Sequence, residues 1–237
     1  MKCFVFRKAV WGALCAVLFL PVSCMKYSED IEVSNGRVKF IGYPNALVTV
    51  KTLESGTVYF QLDETTTLQP VSWNNIFGKE VRALLYYREL AQESELFTKV
   101  VKVDQIDSVR TTKAFSLAFH NPDQEKTYSP IELIDDWVTV CEDGYMNVHY
   151  AAQFGDDRSK HELSLGIHPD KPYDLYLSLD RKGDSGTTWY DDIVAFDITE
   201  LIPCEEGEVV SLTLHWDSND GAKTLKFKCK PHRITKL

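Results

Sequence analysis

The sequence predicts an all-β protein, a small barrel followed by an antiparallel β-sandwich. Short runs rich in Val, Ile, Thr, Tyr and Phe recur from Ala46 onward, each broken by turn residues. In the second half the runs alternate apolar with polar residues, which turns one face of each strand toward a core. The number of runs completes the argument: five in the first half suit a small barrel, and five or six after about residue 113 suit a sandwich.

The chain begins with an export signal rather than with the fold. Lys2, Arg7 and Lys8 give a basic start, and an apolar stretch runs over 9–20, shorter than the about 20 residues that span a bilayer. It ends in Leu20-Pro21-Val22-Ser23-Cys24, which is similar to the lipobox cut by the lipoprotein signal peptidase. Residues 1–23 are therefore expected to be removed as a lipoprotein signal peptide. Cys24 is the expected lipidation site, and the lipid would hold the protein to a membrane of the cell envelope. Residues 24–35, with Lys26, Ser28, Glu29, Asp30, Ser34 and Asn35, read as a polar tether.

Removal of the signal leaves 23 basic against 35 acidic residues, a net charge of −12. Such a balance speaks against nucleic acid as a partner, because phosphates call for clustered Lys and Arg. Of the cysteines, Cys141, Cys204 and Cys229 remain, an odd number at wide spacing. A zinc site is not expected from that spacing, nor a disulfide scaffold.

Within the barrel region, 36–112, residues 47–52, 58–62 and 67–71 read as strands joined by Glu54-Ser55-Gly56 and the turn 63–66. Runs 97–103 and 106–111 continue the pattern. Residues 79–95 are ambiguous: helix formers abound, yet Val81-Arg82-Ala83-Leu84-Leu85-Tyr86-Tyr87 equally suits a buried strand. Within the sandwich region, 113–237, Met146, Val148, Tyr150, Ala152 and Phe154 alternate with polar residues, and Leu163, Leu165 and Ile167 do so after a polar loop. Read as a hairpin, the two runs would pair Val148 with Ile167 and Tyr150 with Leu165, keeping both apolar sets on one side. That register turns His149 outward opposite Gly166, sets His168 opposite Asn147 and brings His161 inward near Phe154. Runs 173–179 and 193–198 follow. A last hairpin places Val210, Leu212 and Leu214 before the turn Asp217-Ser218-Asn219-Asp220-Gly221 and Leu225, Phe227 and Cys229 after it. There Cys229 reads as a small apolar core residue facing Val210.

The order of short motifs resembles the NigD-like lipoproteins of Bacteroidetes, a family named after an immunity protein proposed in a bacteriocin locus. In the first half the resemblance rests on Tyr59-Phe60-Gln61-Leu62-Asp63, Leu68-Gln69-Pro70-Val71 and Gly78-Lys79-Glu80-Val81-Arg82. In the second it rests on Trp137-Val138, Gly144-Tyr145-Met146-Asn147-Val148, His161-Glu162-Leu163-Ser164-Leu165, Gly183-Asp184 and Phe196-Asp197-Ile198. Thr65 departs from it, standing where the resemblance leads one to expect glycine. The resemblance implies an OB-like barrel before the sandwich, settles 79–95 as mainly strand, and implies an envelope location.

No chemical motif stands out. The sequence lacks Gly-x-Ser-x-Gly, a phosphate-binding loop and a dinucleotide fingerprint, so no catalytic residue and no cofactor is assigned. The doublets Asp135-Asp136, Asp156-Asp157, Asp191-Asp192 and Glu205-Glu206 mostly fall at turns, where neighbours do not oppose one another across a cleft. The loops 180–186 and 217–221 carry oxygen ligands for calcium but lack EF-hand spacing. His120, His149, His161, His168, His215 and His232 read as separate side chains rather than one metal site. The suggestive pair is Trp189-Tyr190: in an extended chain one of them must face away from the core, a possible platform for a sugar or peptide. The expected function is non-enzymatic binding of a macromolecular partner at the cell envelope, for which the family resemblance implies bacteriocin immunity, with surface glycan binding as the alternative.

Overall fold

The computed structural model describes residues 31–34, 37–40, 44–117, 128–136, 138, 141–155, 161–205 and 207–230. Cys24, the signal peptide, His120, Trp137, the Asp156-Asp157 doublet, Glu206 and His232 lie outside them. A hairpin of β1 (Ile31–Ser34) and β2 (Arg37–Phe40) precedes the main body, so the last residues of the polar tether pair as a strand.

Five strands then close a barrel: β3 (Ala46–Thr52), β4 (Val58–Gln61), β5 (Thr67–Pro70), β6 (Val81–Glu89) and β7 (Lys99–Ser108), in the order β3-β4-β5-β7-β6. Strand alternation fills it, with Ala46, Val48, Val50, Phe60, Leu68, Ala83, Leu85 and Val101 buried together. Trp73 and Phe77, from the β5–β6 connection, pack on this core, Trp73 edge-on to Phe60 with ring centroids 5.1 Å apart. The two runs 97–103 and 106–111 prove to be largely one strand. The register of β7 slips beside Tyr86/Tyr87, where Asp104 is passed over, and this returns Ile106 to the face that Val101 and Val103 occupy. In the turn 63–66, Asp63 Oδ1 accepts the backbone N–H groups of Thr65 and Thr66, both at 2.8 Å. No residue there has positive φ, so Thr65 serves where glycine was expected.

The sandwich has two five-stranded sheets. One contains β8 (Arg110–Lys113), β10 (Glu132–Leu133), β11 (Cys141–Glu142), β12 (Tyr145–Phe154) and β15 (Thr188–Asp197), ordered β10-β12-β15-β8 with β11 beside β12. The other contains β9 (Phe115–Ser116), β13 (Glu162–His168), β14 (Lys171–Asp180), β16 (Val210–Ser218) and β17 (Gly221–Cys229), ordered β17-β16-β14-β13-β9. Most neighbours are antiparallel, but β8 on β15, β9 on β13 and β14 on β16 run parallel. The chain leaves the barrel at Val109, since β8 already pairs in the sandwich.

The final hairpin pairs as expected, Val210 with Cys229, Leu212 with Phe227 and Leu214 with Leu225. The other expected hairpin does not form. Val148 pairs with Val194 and Tyr150 with Asp192, whereas Leu165 pairs with Leu177 and Ile167 with Leu175, so 146–154 and 163–167 face each other from opposite sheets. His168 pairs with Lys171 rather than facing Asn147. Both arrangements put the apolar sets in one core, and alternation alone does not choose between them.

Cys229 is not a free core thiol. It forms a disulfide with Cys141, which β11 brings to the end of β17, and only Cys204 is left as a free, buried cysteine among the described residues. The pair lies 88 residues apart in sequence, a distance from which spacing gives no hint.

Barrel and sandwich share a second core. Leu47 and Leu84 point out of the barrel and, with Val109, pack on Val138, Ile193 and Ala195 of the sandwich. Arg82 is fully buried at this junction. Its Nη1 donates to Thr49 Oγ1 at 2.8 Å, its Nε to Asn147 Oδ1 at 3.3 Å, and its Nη2 stands 3.6 Å from Glu142 Oε2. Around it, Lys51 Nζ pairs with Asp143 at 2.7 Å, and the Tyr145 hydroxyl donates to Glu80 at 2.9 Å. β6 is thus covered on both faces, which explains why 81–87 lacks clean alternation.

Candidate functional site

The outer face of the sheet containing β12 and β15 is divided in two. Paired residues of antiparallel strands project to the same side, so Asn147/Ala195, His149/Ile193, Ala151/Asp191 and Gln153/Trp189 form consecutive rungs. The barrel covers the first two. Beyond its edge Ala151, Gln153, Asp191 and Trp189 retain access to solvent, and Trp189 is 48% exposed. Tyr190 faces the other way: it is half-buried against the sandwich core, with its ring centroid 6.5 Å from that of Phe154. The expected platform therefore separates into an outward indole and an inward phenol.

The loop before β15 is tied to the end of β12. Asp184 Oδ2 accepts from Gly155 N and Oδ1 from Gly186 N, each at 2.7 Å, and Arg181 donates to the Gly186 carbonyl. The N–H groups of Gly186 and then Gly155 keep the Asp184 carboxyl below the usual range. A Cβ on Gly186 would fall 2.1 Å from the Gly155 backbone, so the two segments touch only because residue 186 is glycine, while a Cβ on Gly155 would meet Asp184 Oδ1 at 2.5 Å. His161 stacks on Phe154, centroids 4.5 Å apart, and brings Nε2 to 2.7 Å from Asp184 Oδ2. Its expected inward position beside Phe154 is thus what the fold displays.

His149 departs from expectation. It does project from the outer side of the sandwich, but the 134–136 segment pairs alongside it there, and the residue is only 2% exposed. Nδ1 stands 2.7 Å from Asp136 Oδ2 and Nε2 3.0 Å from Asp191 Oδ2. One member each of two acidic doublets is thereby drawn to a single ring. The carboxylates sit at opposite edges of the imidazole and do not converge, and no group of three or more possible ligands around a metal occurs among the described residues. Asp191 links this buried cluster to the Trp189 rung. Sequence reasoning missed it because no local spacing joins 136, 149 and 191.

The remaining candidates are occupied locally. His215 stacks on Tyr176 and contacts Asp174 at 3.0 Å, and His168 Nδ1 accepts from Asp170 N at 3.1 Å. In the calcium-like loops, Asp180 accepts from Lys182 N at 2.8 Å, while Ser218 and Asn219 donate to Glu132. Such capping is the ordinary work of Asp, Asn and Ser in turns. What the site offers is a flat indole between the Gln153 amide and the Asp191 carboxylate, able to stack on a sugar ring or apolar side chain while neighbouring hydroxyls or amides are hydrogen-bonded.

The descriptions "NigD-like N-terminal OB domain" and "NigD-like C-terminal beta sandwich domain" fit residues 47–109 and 116–229. An OB barrel joined to a β-sandwich in this order defines the class, and the chain belongs to the NigD-like family. Among solved structures it is similar to a provisionally named toxin-related protein from Parabacteroides distasonis ATCC 8503, at 25% identity and a TM-score of 0.65 over 77% of this chain and 91% of that one. A provisionally named lipoprotein from Bacteroides fragilis NCTC 9343 has 14% identity and a TM-score of 0.57, over 80% and 98%. A NigD-like immunity protein from Bacteroides caccae ATCC 43185 has 14% identity and a TM-score of 0.53, over 78% and 96%. The latter two likenesses are of fold. No curated protein matches the chain.

Two of the family motifs meet in space. Glu80 and Arg82 of the first half contact Tyr145 and Asn147 of the second, so the segments 78–82 and 144–148 form part of the barrel–sandwich junction.

Proposed function

We propose that this NigD-like protein is a non-enzymatic lipoprotein of the cell envelope, anchored through Cys24, that binds a macromolecular partner. The observation that carries the binding role is Trp189: an indole left open on a paired strand, beside a half-face that the barrel covers. A large exposed aromatic on a rigid sheet suits recognition, because little freedom is lost when it is covered. Binding is favoured over catalysis because Asp136 and Asp191 turn toward His149, and Asp184 toward backbone N–H groups. The Cys141–Cys229 disulfide suits an exported protein, and a structurally similar chain bears the name lipoprotein.

Another relative is named an immunity protein, which makes a bacteriocin the first partner to test. Expression in a sensitive strain should reduce killing, and Trp189→Ala should remove the protection while stability changes by about 0.5 kcal/mol or less. Unchanged killing with the unaltered protein would set immunity aside. Cys24→Ser should shift the protein from the membrane to the soluble fraction, and continued membrane retention would remove the anchor from this reading.

The second reading is surface glycan. It is favoured by the Gln153–Trp189 rung, an aromatic flanked by amide and carboxylate as sugar platforms require. A glycan array with the full protein and with Trp189→Ala distinguishes the two, since only a glycan binder should give signals that the substitution erases.

A further inference from the structure

The second sheet ends in β17, which pairs with β16 from Ser218↔Gly221 to Val210↔Cys229 and has no other strand beside it among the described residues. Among the described residues, the carbonyl and N–H groups on its far side form an open edge. Its composition is unusual for the molecule: three lysines and no carboxylate in nine residues, within a chain of net charge −9.

Register assigns those residues to faces. Lys226 and Lys228 pair with Thr213 and Ser211 on the outer face, where both are exposed, and neither has an ion-pair partner among the described residues. Leu225 and Phe227 belong to the inner face, yet Leu225 is 39% exposed, because the opposite sheet does not extend over it. Lysines on an edge strand commonly act to discourage pairing. Here they discourage it selectively. A second copy added antiparallel would bring lysine rows together, whereas a strand with carboxylates on the outer positions would meet Lys226 and Lys228 as cross-strand pairs. The same strand, if apolar at its inner positions, would cover Leu225.

We propose that the β17 edge is a docking site for an extended segment of a partner protein in which acidic and apolar residues alternate, added as a sixth strand to this sheet. The backbone groups would supply affinity, and the alternation would supply specificity. The site builds on the partner-binding reading but lies on the sheet opposite Trp189, so the two can fail separately.

Full-length protein in detergent would be titrated with fluorescent nine-residue peptides: alternating Glu and Val, alternating Lys and Val, and the Glu-Val peptide with alternate amides N-methylated. Binding should favour Glu-Val by about tenfold or more over Lys-Val, and N-methylation should abolish it. K226E/K228E should reverse the preference, while Trp189→Ala should leave it intact. Amide exchange over 222–228 should slow when Glu-Val binds. Equal binding of Glu-Val and Lys-Val, no binding of Glu-Val, or undiminished binding after N-methylation would each overturn the proposal, the last by showing charge attraction without strand addition.

Discussion

Arg82 has no surface in contact with water, yet it carries a charge between two domains. Burial acts first to lower its pKa, and Glu142 and Asp143 oppose that effect. Glu142 itself is pushed upward, by burial before anything else, and Arg82 is the main influence holding it down. Replacing Arg82 by Met would keep much of the volume but strand a half-buried carboxylate and the Thr49 and Asn147 oxygens, a loss of about 3 kcal/mol. The loss should depend on pH. A carboxyl whose folded pKa lies above its unfolded value carries no penalty when both states are protonated, and the penalty grows as pH rises through the unfolded value, about 4.3. Urea midpoints should therefore separate Arg82→Met from the parent more at pH 7 than at pH 4. Asp184 and Glu132 work in the opposite sense. Backbone N–H groups of Gly186 and Asn219 lead in lowering them, so their contribution is present above the unfolded carboxylate pKa, about 4, and is lost as pH falls through the depressed folded values. Thermal midpoints should fall below about pH 4, and less steeply in an Asp184→Asn variant.

At the level of strands, the disulfide offers the clearest test. A cross-link closing a loop of this length restricts the unfolded chain by about 4.6 kcal/mol, so a reductant should lower the denaturation midpoint substantially, and Cys141→Ser/Cys229→Ser should lower it without reductant. The same level shows what the sequence could and could not reveal. The last hairpin was legible because a short turn forces its two alternating runs to pair. The runs 146–154 and 163–167 were not, because alternation identifies the face a strand buries and leaves its hydrogen-bonded neighbour open. The phase break near Asp104 was visible as two runs, although its cause, a bulge in one strand, was not. At the candidate site, adjacency required Trp189 and Tyr190 to diverge. Which of them would be open depended on how much of the sheet the barrel covers. Arg82, His149 and the cystine partners were silent for one reason: each is defined by residues far apart in sequence.

For the whole molecule, the junction makes one body of two domains. Leu47, Leu84 and Val109 meet Val138, Ile193 and Ala195 with little access to water, while Lys230 pairs with Glu64 in a barrel turn at 2.8 Å. Barrel and sandwich should therefore unfold together in a single transition by fluorescence and circular dichroism, whereas Arg82→Met should begin to separate the two signals. Two of the family motifs, 78–82 and 144–148, meet at this junction, which relates that part of the resemblance to the mutual orientation of the domains. The cystine between β11 and β17 also bears on survival outside the cell. Should a protease nick any single peptide bond between Cys141 and Cys229, the two fragments stay covalently united, and the wound becomes visible on a gel only once thiol is added.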